Sequence, residues 1–339
     1  MDNLVLFNDS DLKKLLNKRS GESKFGEHVN TLSSISNIYE KLQSLDVDYV
    51  IIGLPEDVGV FANYGKSGAY NTWDMVIKFL LNIQNNEFTK ARRVLILGYL
   101  DFNKEMLKVS SLDQSISKDV LKARKTVKKI DAKVTYVIEQ IVSAGKKPII
   151  IGGGHNNAYG NIKGSALAYG FPINVINFDA HSDFRPEEGR HSGNGFSYAY
   201  AEGFLKKYFV FGIHENYTSQ NLFNTLRKIK SIAFNTFESI EIRKELSFKN
   251  EMCRALEHVS TAPFGIEIDC DAIENIQTSA MTPSGFSVNK ARQFVDYFGK
   301  HENACYLHIC EAIATPENES QTGKLITYLI TDFIKANAT

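Results

Sequence analysis

The sequence has no excess of charge of either sign, because 39 Lys and Arg residues are balanced by 39 Asp and Glu residues. Proteins that bind nucleic acid or an anionic membrane through electrostatics usually carry a basic patch or stripe. The balance therefore predicts that neither is a partner, and a small molecule is the expected one.

Long apolar runs are also missing. The longest runs, at residues 49–54 and 148–152, fall far short of the roughly 20 residues that span a bilayer. Residues 1–4 lack the basic region and apolar core that begin a signal peptide. These two features predict a cytoplasmic protein.

Cysteine is scarce, and no two cysteines have the Cys-x-x-Cys spacing. The four cysteines are Cys253, Cys270, Cys305 and Cys310. The last three lie in or beside apolar, strand-like runs, which predicts buried free thiols. Neither a disulfide framework nor a thiolate zinc site is expected.

Short β-branched runs alternate along the chain with longer segments of helical period. Strands are predicted at residues 47–53, 93–98, 147–152, 174–179, 208–213, 231–234, 264–269 and 304–309. Apolar residues at spacings of three and four predict an amphipathic helix over residues 121–144, ended by Gly145. Continuous apolar strands separated by helices indicate a parallel sheet covered on both faces.

The fold class expected from this alternation is α/β, with three layers in the order α/β/α and a doubly wound, mostly parallel sheet. The chain contains no repeat, low-complexity tract or linker, so residues 46–339 are predicted to form a single domain. Residues 1–45 are more polar and are predicted to form an N-terminal helical extension.

Three clusters of acidic and imidazole side chains each follow a predicted strand. They read Gly-Gly-Gly-His at 152–155, Asp-Ala-His-Ser-Asp at 179–183 and Asp-Cys-Asp at 269–271. Sites in open parallel sheets form outside the carboxyl ends of the strands. We therefore expect the three clusters to meet at one edge of the sheet.

Two imidazoles and four carboxylates are enough to hold two divalent cations, and this mixture suits manganese and its neighbours. The predicted ligands are His155, Asp179, His181, Asp183, Asp269 and Asp271. The alternating spacing within the second and third clusters turns their ligands to one side, and it turns Cys270 away. Each motif alone has a simpler explanation, such as a hydrogen-bonded core histidine, a capping aspartate or a glycine turn. Their combination favours a metal site.

The order and context of these motifs resemble the arginase (ureohydrolase) family, which includes arginase, agmatinase and formimidoylglutamase. The resemblance covers about residues 47–330, including residues 53–59, residues 65–69, Thr282-Pro283 and Glu311. Within the family, residues 152–160 and 177–186 look most similar to the formimidoylglutamases. The resemblance implies an arginase-like fold and two Mn²⁺ ions as cofactors.

The resemblance also implies an activity, the hydrolysis of N-formimidoyl-L-glutamate to L-glutamate and formamide in histidine breakdown. In the mechanism that the resemblance implies, two metal ions would lower the pKa of a shared water, and the resulting hydroxide would attack the sp² carbon of the amidine. Asp183 would accept the proton and pass it to the leaving nitrogen. Glu311 would face the cationic amidinium; the alternative is an acid at a helix N-terminus.

Three residues near the second cluster are candidates for substrate binding. Arg185 would hold a substrate carboxylate through two parallel hydrogen bonds, unless it is a surface residue that pairs with Glu187 or Glu188. Ser192 and Asn194 would contact the polar end of the substrate, unless they only shape a turn.

The sequence departs from the family pattern in two places. Phe196 stands where arginase has a proton-shuttling histidine, and His191 is the nearest imidazole that would replace it. The alternative for His191 is a histidine on a surface loop. The third cluster continues as Ala-Ile-Glu-Asn at 272–275 instead of the usual x-x-Asp-Pro. These departures weigh against a true arginase.

Other functions therefore stay open at this point. An arginase, an agmatinase or another guanidino-compound hydrolase would release urea. A catalytically weak member of the family would act as a binding or structural protein. A nucleotide enzyme is disfavoured, because the three glycines at 152–154 lack the spacing of a dinucleotide fingerprint. A homo-oligomer is expected only by analogy with the family.

Overall fold

Nine strands form a single sheet in the computed structural model, which describes residues 3–34 and 37–336. The strands are β1 (Leu4–Leu6), β2 (Tyr49–Gly53), β3 (Val94–Leu100), β4 (Lys147–Ile151), β5 (Ile173–Phe178), β6 (Leu205–Ile213), β7 (Ile232–Thr236), β8 (Phe264–Asp269) and β9 (Ala304–Cys310). Their order across the sheet is β1-β3-β2-β4-β9-β8-β5-β6-β7. β1 runs antiparallel to β3, and the other neighbours pair in parallel.

Helices cover both faces of this sheet. They are α1 (Asp9–Leu15), α2 (Ile38–Ser44), α3 (Val58–Ala62), α4 (Thr72–Leu81), α5 (Asn103–Ser110), α6 (Ser117–Ser143), α7 (Asn157–Tyr169), α8 (Gly195–Ala201), α9 (Gln220–Lys228), α10 (Phe248–Val259), α11 (Val288–Gly299) and α12 (Glu319–Ala336). No helix in the described ranges is long and apolar enough to cross a membrane.

The alternation of side chains along the central strands divides the core into two halves. In β4, Ile149 and Ile151 pack with α4, α11 and α12 on one face, whereas Ile150 packs with α6 and α7 on the other. Because each strand needs apolar residues on both sides, its sequence is a continuous apolar run. The three-layer α/β/α architecture with a mostly parallel sheet is thus confirmed, as are the eight predicted strands and the long helix, which is α6.

The N-terminal segment contains more than helices. It includes α1 and α2, and also β1, which pairs with β3 through a register that places Leu4 opposite Leu100. Phe7 and Phe25 from this segment are buried in the core. Residues 1–2 and 35–36 of the predicted extension, and residues 337–339 of the predicted domain, lie outside the described part of the chain.

The strand order brings the sequence clusters together. β4, β9, β8 and β5 are consecutive neighbours in the middle of the sheet. The first cluster follows β4, Glu311 follows β9, the third cluster begins at the last residue of β8, and the second cluster follows β5. Because these strands are parallel, all four segments leave the sheet at the same edge.

The packing of α6 gives a test of the fold. Ile138 of α6 is fully buried in the core beside Gly164 of α7, and we expect Ile138→Ala to lower the free energy of unfolding by about 2–5 kcal/mol, because it leaves a cavity. Leu121→Ala, at an exposed position of the same helix, should change it by no more than about 0.5 kcal/mol. Chemical denaturation of both variants measures the difference, and equal effects would contradict the assigned packing.

Candidate metal centre

A glycine turn after β4 directs His155 into the site. Gly152 and Gly153 have φ angles of 83° and 77°, which glycine adopts without steric cost. A Cβ on Gly153 would lie 2.4 Å from Nδ2 of Asn157 and 2.7 Å from the carbonyl oxygen of Leu54. The turn therefore requires glycine at this position, and the next residues bring the imidazole beneath the ends of β5 and β8.

Four side chains form the first group of donor atoms. Nδ1 of His155 lies 3.3 Å from Oδ2 of Asp179, 2.9 Å from Oδ2 of Asp183 and 3.1 Å from Oδ2 of Asp269. One donor atom from each of the four residues lies within 4.8 Å of the others. This spacing is suitable for one cation among one nitrogen and three oxygen ligands.

A second group adjoins the first and shares Asp179 with it. Its members are Asp179, His181 and Asp271, whose donor atoms also lie within 4.8 Å of one another. Nδ1 of His181 is 2.9 Å from Oδ2 of Asp271 and 3.7 Å from Oδ1 of Asp179. Asp179 thus directs one oxygen towards each imidazole, as a carboxylate that bridges two cations would.

Unpartnered atoms at the centre fit the same interpretation. Within the described residues, Nδ1 of His155 and Oδ1 of Asp271 are buried without a hydrogen-bond partner. Buried polar atoms are rarely left in this state unless a water or an ion completes them. The two groups bring together all six side chains named as ligands from the sequence, and their nitrogen and oxygen donors fit two divalent cations.

The carboxylates crowd each other electrostatically. Burial, followed by the charges of Asp271 and Asp179, raises the pKa of Asp269 well above its ordinary value. Burial and the charge of Asp179 raise the pKa of Asp183 to about 6. The site therefore carries more negative charge than its protein surroundings neutralise, which favours the binding of cations.

Glu311 approaches the same centre from the end of β9. Its Oε1 accepts a hydrogen bond from the backbone N–H of His155 at 2.8 Å, and its Oε2 accepts one from the Ser279 hydroxyl at 3.3 Å. Burial raises the pKa of Glu311 to about 8. The next helix begins at Glu319, so the alternative of an acid at a helix N-terminus does not describe Glu311.

A cavity of about 740 Å³ opens above these groups, within the range of small-molecule sites. Most of the residues that line it have polar side chains. They include Asn63, His181, Asp183, Arg185, Ser192, Tyr217, Asp269, Asp271, Ser279 and Glu311.

The sequence profile of the arginase family matches residues 47–335. The chain belongs to the arginase family. The match spans the sheet from β2 to α12 and includes every segment that contributes to the centre.

Similar proteins within the arginase family include several formimidoylglutamases. The enzyme of Streptococcus pyogenes serotype M12 (strain MGAS2096) is 30% identical over 83% of this chain and 82% of its own length. The Streptococcus gordonii formimidoylglutamase is 27% identical, and the aligned part spans 56% of this chain and about half, 54%, of that enzyme. The Trypanosoma cruzi formiminoglutamase solved with Mn²⁺ has a TM-score of 0.69 at 20% identity, covering 94% of this chain and 99% of that one.

Arg185 and Ser192 both line the cavity of this arginase-family protein. The guanidinium of Arg185 donates to Oδ1 of Asn63 at 2.6 Å and to Oε1 of Glu188 at 3.0 Å. The side chain is 44% exposed and pairs with Glu188, as the alternative of a surface ion pair predicted. It also lines the cavity, as the prediction of a substrate contact requires. The Ser192 hydroxyl accepts a hydrogen bond from Asn63 at 3.1 Å.

The side chain of Asn194 forms its hydrogen bonds with other residues of the protein. Its Oδ1 accepts from Arg190 at 2.6 Å and from the backbone N–H of His191 at 3.0 Å, and its Nδ2 donates to the carbonyl of Gly189 at 2.8 Å. These bonds favour the alternative in which Asn194 shapes the turn.

His191 has neither of the positions expected for it. The residue is fully buried, so it is not a surface histidine, and its neighbours Ser192 and Gly193 line the cavity in its place. Its Nδ1 accepts the backbone N–H of Gly193 at 3.1 Å. Burial and nearby guanidinium groups lower the pKa of His191 to about 3, which keeps the ring neutral. This position favours a structural role in the turn over proton transfer.

Phe196, at the place of the arginase shuttle histidine, packs against a metal-site residue. Its ring meets that of His155 edge-on at 5.1 Å and stacks on Tyr208 at 4.5 Å. Phe196 therefore supplies an apolar wall beside His155 where arginase would place an imidazole.

Several residues near the centre were not identified from the sequence. Glu267 and His308 lie beneath His155 on β8 and β9, and Tyr217 stacks on the ring of His181 at 5.5 Å. Glu267 and His308 could have been found in the sequence as ionisable residues flanked by apolar ones within a predicted strand. The cysteines are free thiols as predicted, with Cys270, Cys305 and Cys310 buried.

The shared position of Asp179 gives a test of the two groups. We expect Asp179→Asn to lose both ions after Mn²⁺ loading and dialysis, because a neutral amide replaces the bridging carboxylate. Asp271→Asn, in the second group alone, should retain one ion. Asp48→Asn, a surface partner of Arg93, is the control and should keep two. Metal analysis measures the content, and full occupancy in Asp179→Asn would contradict the bridging role.

Proposed function

We propose that this arginase-family protein is a metal-dependent hydrolase of a C–N bond in linear amidines, with N-formimidoyl-L-glutamate as substrate and L-glutamate and formamide as products. The observation that carries the proposal is the pair of donor groups that share Asp179 at the floor of a polar cavity. The formimidoylglutamases among its relatives support the choice of substrate.

Two divalent cations would be held by His155, Asp183 and Asp269 on one side and by His181 and Asp271 on the other, with Asp179 between them. Manganese is the proposed ion, since the donors are carboxylates and imidazoles and the T. cruzi relative was solved with Mn²⁺. When bound, such ions lower the pKa of a water so that hydroxide is available near neutral pH for attack on the amidine carbon.

The protein side chains would orient the substrate and transfer a proton from the attacking water to the leaving nitrogen. Glu311 faces the cavity and provides a carboxylate against the cationic amidinium of the substrate. Asp183 lies at both the cavity and the first donor group, where it would accept a proton from the attacking water and deliver it to the leaving nitrogen. Arg185 and Ser192 line the outer part of the cavity and would bind the polar end of the substrate. His191 is given no role in proton transfer.

A hydrolase of guanidino compounds that releases urea is the second candidate, because the metal groups and Glu311 would serve a guanidinium equally well. Phe196 in place of the shuttle histidine speaks against arginase itself. The cytoplasmic location and the homo-oligomer expected from the sequence stay predictions.

A substrate panel tests the activity. After reconstitution with Mn²⁺, the protein should release formamide from N-formimidoyl-L-glutamate and little urea from L-arginine, agmatine or 4-guanidinobutyrate. Urea release without formamide release would move the assignment to a guanidino substrate. Inactivity of the fully metal-loaded protein on all four compounds would favour the binding or structural protein.

Arg185 gives a sharper test of how the substrate is bound. We expect Arg185→Ala to raise KM about tenfold to a hundredfold with little change in kcat, because a hydrogen bond to a charged group contributes about 1.5–3 kcal/mol. Steady-state kinetics on N-formimidoyl-L-glutamate measure the effect.

Arg243→Ala is the matched control. Arg243 is 41% exposed and pairs with Glu215 and Glu245, so its loss should leave KM unchanged. An unaltered KM in Arg185→Ala would show that Arg185 serves only its ion pair with Glu188.

A further inference from the structure

A buried carboxylate lies beneath the first donor group, on the side of His155 that faces away from the aspartates. Oε2 of Glu267 is 3.4 Å from Nε2 of His155, and both side chains are fully buried. Glu267 lies on β8 two residues before Asp269, so the two side chains point to the same side of the sheet. Glu267 is not among the residues that line the cavity in the described chain, so any effect on the reaction passes through His155.

Two further side chains hold this carboxylate in place. The Tyr306 hydroxyl donates to Oε1 of Glu267 at 2.7 Å, and Nδ1 of His308 forms a short hydrogen bond with Oε2. The parallel register of β8 on β9 places Glu267 directly opposite His308. Gly265 makes room for the tyrosine, since a Cβ there would lie 2.0 Å from Cζ of Tyr306.

The surroundings of its two ring nitrogens determine which of them carries the proton of His155. Its Nδ1 faces three aspartates and must be unprotonated to bind a cation, so the ring proton then resides on Nε2. Nε2 is buried without a hydrogen bond of good geometry among the described residues. Cys310, which lies in a group with His155 and His308, directs its thiol at the carbonyl of Ile268. Glu267 is the strong acceptor beside the Nε2 proton.

We propose that Glu267 is a positioning residue for the first metal ion: it accepts the Nε2 proton of His155, and so fixes the tautomer and the orientation of that ring. Tyr306 and His308 are the residues that hold Glu267. This inference rests on the proposed binuclear centre. Metal-bound histidines usually donate their other ring proton in this way, and loss of the acceptor costs about 10–100-fold in metal affinity.

The histidine of the second donor group has different surroundings, so the proposal predicts an effect on only one of the two ions. The His181 side chain is 31% exposed at the cavity wall, and its ring stacks on Tyr217. Loss of the Glu267 carboxylate should therefore weaken the ion of the His155 group and leave the ion of the His181 group unchanged. A general loss of stability would not produce this pattern.

The test is a Mn²⁺ titration of Glu267→Gln, followed by the EPR signal of free Mn²⁺ in the absence of substrate. The wild-type chain should bind two ions, and the variant should bind one with unchanged affinity and the other about 10–100-fold more weakly. Glu251→Gln is the control, because Glu251 is a buried carboxylate that accepts from Asn235 and Arg254 outside both donor groups. It should bind both ions as the wild type does.

A folded Glu267→Gln protein with two ions at wild-type affinity would overturn the proposal, as would equal weakening of both ions. If Glu267→Gln does not fold, Tyr306→Phe decides, because it removes one hydroxyl and leaves the carboxylate less firmly held. We expect a several-fold weakening of one ion in that variant, and unchanged binding of both would overturn the proposal. A wild-type chain that binds no Mn²⁺ would contradict the metal centre, whereas inactivity on N-formimidoyl-L-glutamate with normal Mn²⁺ binding would contradict only the substrate.

Discussion

The mutual repulsion of four crowded aspartates, three of them buried and Asp183 partly exposed, is the constraint on which the site depends. Asp179, Asp183, Asp269 and Asp271 lie around two imidazoles at the centre of one sheet edge. Carboxylates in such surroundings must be protonated or neutralised by opposite charge, since an isolated buried charge is very costly. Divalent cations would neutralise all four without adding protons, and the same ions would supply the activated water of the proposed reaction. Divalent cations would therefore meet both the electrostatic requirement of the site and the chemical requirement of the proposed hydrolase.

The sheet holds the four carboxylates close together despite their repulsion. The donors follow neighbouring strands whose residues are buried on both faces, so the backbone cannot relax to separate the carboxylates. Asp183 and Glu311 have φ angles of 44° and 63°, in the left-handed region that non-glycine residues seldom adopt. Such conformations persist where the surrounding structure over-determines them, often at functional sites. The site is therefore preorganised by packing before any ion or substrate is bound.

The parts of the structure that were predictable from the sequence are those encoded by short, contiguous patterns. The eight longer strands are apolar runs, and the proposed ligands come in motifs directly after three of them, so strand order alone brings them together. β1 has only three residues, too few to show a period. The burial of His191 could not be predicted, because it depends on packing around the turn and not on its closeness to Ser192.

Glu267 and His308 belong to a different class of feature. They are 41 residues apart, each flanked in sequence by apolar residues, and only the register of β8 on β9 makes them a pair. Asp269, by contrast, is conspicuous because Asp271 follows it. Side chains that support a metal ligand from behind seldom come in motifs, since any acceptor at the right place will serve.

The energetics of this pair indicate what it is for. A buried carboxylate and imidazole carry a desolvation cost that apolar residues of similar volume would not, so stability of the sheet does not explain their presence between β8 and β9. Ile266 and Leu307, adjacent to them on the opposite side, pack as ordinary core. The polar pair lies instead where the ring of His155 needs an acceptor, and Tyr306 offsets part of the cost of burial with a hydrogen bond. A polar pair thus replaces apolar packing at this point of the sheet, and its role is to orient the imidazole of His155.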